Sequence, residues 1–153
     1  MTLLTKDYAV RVYGLPTPQG SMTCKAKHVT RSNLQPGNEA DLKPWRALVE
    51  KAGRALPVTG LVGPVGVEVT LTVARPKTVT RDWPCQKANR RGVGGDIDKL
   101  ARAVLDALES SGVIENDAQV VELVARKCYP TTPGVQDRLD RPGAVIRLYP
   151  IGD

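Results

Sequence analysis

The chain has 153 residues, 41% hydrophobic and 25% charged, a balance that excludes wholesale disorder and is enough for one core. Aromatic residues make up 4% and Phe is absent, so the core is expected to be built from Val, Leu, Ile and Ala. The net charge of +6 favours a polyanionic partner, and no apolar run reaches the ~20 residues of a membrane span or forms a signal-peptide core, which predicts a soluble, cytoplasmic protein.

In chain order, Tyr8, Val10 and Val12 alternate with Ala9, Arg11 and Tyr13, predicting a first strand. Residues 14–40 hold Pro16, Pro18, Gly20, Pro36 and Gly37 without periodicity and read as one long loop. Leu42, Trp45, Leu48, Val49, Ala52 and Leu56 repeat at three and four residues, predicting a helix over 42–56 with Pro44 in its first turn. Val65, Val67, Val69, Leu71 and Val73 alternate strictly, the clearest strand, with Glu68, Thr70 and Thr72 on a wetter face.

Residues 75–95 read as a second long loop, where the charge concentrates: Arg75, Lys77, Arg81, Lys87, Arg90 and Arg91 face one acid, Asp82, with Trp83 among them. Ile97, Leu100, Ala101, Val104, Leu105 and Leu108 predict a helix over 97–110, with Asp96 as N-cap and Gly112 as terminator. Strands over 119–129 and 143–150 follow. The order β-α-β-α-β-β predicts an α+β fold in one domain, 1–153, with a mixed sheet covered by two helices. Cys24, Cys85 and Cys128 are scattered and fit a reducing compartment. Cys24 and His28 form a C-x3-H pair that Cys85 could join, a weak pattern for zinc.

The chemistry concentrates between Gly94 and Lys127. Magnesium prefers oxygen ligands, usually a few carboxylates with waters completing the shell. Asp96 and Asp98 flank a loop-to-helix junction. In a continuous helix they would point ~200° apart, whereas an extended Asp96 can swing towards Asp98. Asp117 lies in the polar turn Glu115-Asn116-Asp117, beyond a helix ~21 Å long. Val113 and Ile114 span only about 7 Å, so local geometry alone does not return Asp117 to the helix start; a neighbouring strand or another subunit would have to help. Arg102 follows Asp98 by four residues, with Glu109 near the same stripe and Asp106 further round. Without further information these are a helix cap, a surface i,i+4 ion pair and a turn residue.

This stretch resembles the core of the RusA family of Holliday junction resolvases, common in phages and prophages. The family pattern is roughly D-[LI]-D-N-L-x-K-A-x-x-D-A-L, then a Gly, then D-D-x-Q-V. The chain has Asp96-Ile97-Asp98-Lys99-Leu100, Arg102-Ala103, Asp106-Ala107-Leu108, Gly112 and Asn116-Asp117-Ala118-Gln119-Val120. Tyr13-Gly14-Leu15-Pro16-Thr17-Pro18-Gln19-Gly20 is similar to the family's G-x-P-x-P-K-G opening. The resemblance implies a RusA-like fold, Mg²⁺ (with Mn²⁺ able to substitute) held by Asp96, Asp98 and Asp117, and a homodimer acting on a four-way DNA junction in recombination and repair. Arg102 stands where the family has a catalytic lysine, Lys99 replaces an Asn, and Asn116 replaces the first Asp of the pair. Arg102 keeps the positive charge but cannot transfer a proton.

Phosphodiester cleavage with one or two magnesium ions follows from such a carboxylate set, with Arg102 adding electrostatic stabilisation. Arg75, Lys77, Arg81, Lys87, Arg90 and Arg91, with Lys99 and Lys127, are expected to meet DNA phosphates, and Trp83 to stack on an unpaired base or else pack in the core. Lys25, Lys27, His28 and Arg31 would add a second contact. Competing readings are a non-catalytic protein that binds branched DNA, a metal-dependent nuclease for flaps and forks, and a small structural phage protein.

Overall fold

Val65, Val67, Val69 and Leu71 are all but inaccessible, and so are residues of the opposite parity, Thr70 and Thr72. A strand buried on both faces belongs in the middle of a sheet. The computed structural model, which describes residues 7–20, 22–24, 34–36, 39–87 and 95–152, puts it there. Strand β1 spans Tyr8–Tyr13, β2 Met22–Cys24 and β3 Leu34–Pro36. Helix α1 spans Glu39–Arg54, β4 Val65–Thr72, α2 Ile97–Ser111, β5 Val120–Cys128 and β6 Gly143–Pro150.

The fold is α+β. Four strands form a mixed sheet in the order β1-β6-β4-β5, and β2 pairs with β3 in a separate two-stranded sheet. β6 runs antiparallel to both β1 and β4, while β5 runs parallel to β4. Parallel neighbours need a crossover, and α2 supplies it. That topology fixes a direction: α2 runs back along the sheet, so its C-terminal end lies where β5 begins.

Both helices contribute to one core. Leu42, Trp45 and Val49 from α1 join Leu100, Val104 and Leu108 from α2 over β4 and β6. Trp45 and Tyr129 are among the largest fully buried side chains, so the core is less purely aliphatic than the composition suggests. Gly66 of β4 exists to admit Tyr149: a Cβ there would lie 2.1 Å from the ring.

The predicted strands and helices recur within a few residues, with three differences. The stretch 14–40 contains the β2–β3 pair. α1 begins at Glu39, which places Pro44 inside the helix, where it gives up the bond its N–H would make to Ala40. Thr70 and Thr72 do not face water, and the chain after β5 folds over Thr72. Leu139 N donates to Thr72 Oγ1 at 3.0 Å, and Cys128 Sγ lies 3.7 Å from the same oxygen. Among the described residues no helix is long and apolar enough to cross a membrane.

Candidate active site

Gly95 is buried with φ +99°, a conformation that L side chains rarely adopt, which explains a glycine immediately before Asp96. Asp96 is extended (φ −69°, ψ 132°) and its carbonyl accepts the first helical bond, from Leu100 N at 3.0 Å. Its carboxylate does not cap the helix; it faces solvent and pairs with Lys99 Nζ at 3.5 Å. Asp98 stands exposed in the first turn of α2, where the helix dipole favours an acid.

Two contacts brace this helix start. Lys127 Nζ donates to Gly95 O at 2.7 Å, so β5 holds the residue before Asp96. Gln19 N donates to Lys99 O at 3.0 Å, laying the Pro-rich 14–20 segment against the first turn. Gln19 also buries its Oε1, which has no hydrogen-bond partner among the described residues.

Asp117 sits elsewhere. Gly112 ends α2 in the left-handed conformation (φ 80°), and a 3₁₀ turn over Asp117–Gln119 leads into β5. Asn116 Oδ1 accepts from Ala118 N at 2.8 Å. Gln119 Oε1 accepts from Glu115 N (2.7 Å) and Asn116 N (3.1 Å), while its Nε2 donates to Leu61 O (2.8 Å) and Gly63 O (3.1 Å). Asp117 N donates to Glu109 Oε2 at 3.3 Å, in the last turns of α2. From Asp96 to Glu109 is roughly 20 Å at 1.5 Å per residue. One chain therefore brings Asp96 and Asp98 to one end of α2 and Asp117 to the other. Among the described residues no three His, Cys, Asp or Glu side chains lie close enough to share a metal.

Arg102 is exposed one turn beyond Asp98, and no ion pair joins the two among the described residues. In the basic segment, Lys77 and Lys87 are exposed. Arg75 donates to Val79 O (3.3 Å) and Thr131 Oγ1 (2.9 Å), and an Arg81 guanidinium nitrogen lies 3.3 Å from Cys85 Sγ. Trp83 is 52% exposed, so it is not a core residue. Arg90 and Arg91 lie outside the described residues, as do Lys25, Lys27, His28 and Arg31, and with His28 the C-x3-H pair. The supporting roles of Glu109, Gln119 and Gln19 were not evident from sequence. The Asn116-to-Gln119 spacing is that of a capping box and carried the signal for the turn.

The model of the family described as endodeoxyribonuclease RusA matches residues 16–139, a span containing all three aspartates, Arg102 and the basic segment. No curated protein matches the chain.

Proposed function

The chain belongs to the RusA family of junction-resolving endodeoxyribonucleases, and on that premise we propose a magnesium-dependent enzyme that resolves four-way DNA junctions by paired symmetric nicks. The observation that carries this reading is the placement of Asp96 and Asp98. They are two solvent-facing carboxylates braced at the start of α2, directly after a basic segment with an exposed Trp.

The donors fit magnesium: Asp96, Asp98 and Asp117 are all exposed carboxylates, hard oxygen ligands with room for water. When bound, the cation supplies Lewis-acid polarisation of the scissile phosphate and activation of the attacking water, and Mn²⁺ would serve in its place. The chain's own residues do the rest. Arg102 offers a permanent positive charge to the phosphate and no transferable proton. Lys99 orients Asp96. Lys77, Arg81 and Lys87 neutralise backbone phosphates, and Trp83 stacks on bases exposed at the branch.

Two ends of α2 cannot pool three carboxylates within one chain, which supports a homodimer. β5 is an edge strand of the four-stranded sheet, with Val121 63% and Leu123 44% exposed. Such an edge invites pairing. Antiparallel pairing of β5 with a second copy is two-fold symmetric and carries the Asp117 end of one chain towards the Lys127 end of the other, where Asp96 lies. Two equivalent sites then suit the near two-fold symmetry of a junction.

Incubating a synthetic four-way junction with Mg²⁺ tests the proposal. Wild type is expected to make paired symmetric nicks, and Asp98→Asn to bind without cutting. Binding without cleavage by wild type would make this a non-catalytic binder, and a preference for flaps or forks would reassign the substrate.

A further inference from the structure

A cleft of about 450 Å³ opens beside the carboxylate end of α2. Its sides come from residues 73–76, 78, 79, 84, 86 and 87, and Tyr129 and Gly95 complete it. Gly95 immediately precedes Asp96, so the cleft lies next to the start of α2. Its size falls within the ~300–1,000 Å³ range of small-molecule sites.

The lining combines three kinds of group. Val73, Ala74, Pro76, Val79 and Pro84 give apolar sides. Arg75 is a fixed cation: besides its bonds to Val79 O and Thr131 Oγ1, its guanidinium carbon lies 5.8 Å from the centre of the Tyr129 ring. The Tyr129 hydroxyl donates to Gln86 Oε1 at 2.7 Å, which orients the amide and leaves its Nε2 as a donor. Lys87 lines the cleft and is exposed. The surrounding stretch 75–87 carries Arg75, Lys77, Arg81 and Lys87 against the single acid Asp82, which favours an anionic occupant over an apolar peptide.

A flat base meets each of these features. Apolar walls accept its faces, a fixed amide donor meets a ring carbonyl or nitrogen, and the cations meet its phosphate. Bases within a duplex are stacked and paired, so only an unpaired nucleotide can enter. We infer that this cleft receives an unpaired nucleobase of branched DNA, next to the position where the backbone is cut. The inference deepens the nuclease reading above and rests on it for the source of the base. Occupation of the cleft would give the protein a preference for branch points over plain duplex.

The test uses a single-stranded DNA tetranucleotide with an internal 2-aminopurine, whose fluorescence is quenched by stacking on its strand neighbours and rises when the base leaves them for an aliphatic cleft. Wild type should raise it saturably. Ala74→Trp, which fills the cleft from an exposed position, should weaken binding several-fold and abolish the rise. Gln86→Ala, also at an exposed position, should weaken binding a few-fold and keeps the test valid if the Trp variant fails to fold. No rise with wild type, quenching in its place (the signature of stacking on Trp83), or equal affinity and rise in the well-folded variants, would overturn the cleft assignment. A wild type that raises the fluorescence yet leaves four-way junctions uncut keeps the cleft and removes the nuclease. One that cuts junctions while the variants raise the fluorescence like wild type keeps the nuclease and removes the cleft.

Discussion

Lys127 of β5 donates its ammonium proton to the carbonyl oxygen of Gly95 at 2.7 Å, joining residues 32 apart in the chain. The bond anchors a glycine in a left-handed conformation immediately before Asp96, so it controls where that carboxylate enters α2. The sequence alone suggests a DNA contact for Lys127; the structure gives this partly buried side chain a tie within the protein.

Lys127→Met keeps the aliphatic stem and removes the bond. Cleavage should fall about tenfold or more through the displaced Asp96, and stability by roughly 1 kcal/mol. The salt dependence of DNA binding discriminates the two roles. A tie within the protein leaves the log–log slope unchanged, whereas a lost phosphate contact lowers it by ~0.9.

Gln119 is the corresponding brace for Asp117, with four hydrogen bonds from one amide. Gln119→Glu keeps the acceptor for Glu115 N and Asn116 N but sets a carboxylate against the carbonyls of Leu61 and Gly63. It should destabilise the protein by about 1–2 kcal/mol at neutral pH, a fall in Tm of roughly 2–8 °C at this chain length. Cleavage should drop while DNA affinity is maintained. A Glu variant that melts and cuts like wild type would show that the turn holds without this clamp.

The strict alternation of 65–73 and the helical stripe of 97–110 were legible because hydrophobic period depends only on which face is buried. The length of that helix also set Asp117 apart from Asp96, but whether a neighbouring strand brought it back was not legible. Alternation looks the same in parallel and antiparallel strands, and only the parallel β4–β5 pairing dictates that α2 runs back and leaves its two ends at opposite ends of the sheet. The burial of Thr72 was hidden for a related reason: what meets it is Leu139, 67 residues later. The glycine before Asp96 could be read as turn-forming, but its partner Lys127 could not be named without the register of β5.

A pH effect follows from Asp137, which sits at φ 63° and accepts two bonds from Arg147, both 2.7 Å. These bonds hold its carboxyl below the usual carboxylate range, against the opposing effect of burial. Because the folded value is depressed, the stabilisation is fully present above the unfolded value of ~3.9 and is lost as pH falls through the folded value. Asp137→Asn should cost roughly 1 kcal/mol at neutral pH. The gap in Tm between wild type and variant should hold down to pH ~5 and close below pH ~4. A gap that persists at pH ~2 would mean the loss does not come from the carboxylate charge, since Asn is as much at ease as Asp at positive φ.

The division of the carboxylates between the two ends of α2 gives a decisive experiment on the proposed dimer. Asp98→Asn and Asp117→Asn should each be inactive alone. If each site draws Asp96 and Asp98 from one copy and Asp117 from the other, a mixed dimer has one site with both lesions and one with none. If each site is built within one chain, a mixed dimer has a lesion in both. Random pairing of equal amounts makes half of the dimers mixed, so the shared arrangement should restore about a quarter of wild-type nicking. The restored activity should also change character, giving single nicks in a junction instead of paired ones. Co-expression of the two variants ensures mixing, and a supercoiled cruciform substrate distinguishes nicked from linear product. Restored nicking would establish that two chains build each site; complete inactivity of a confirmed mixed dimer would require Asp117 to reach Asp96 within its own chain, against the roughly 20 Å that α2 places between them.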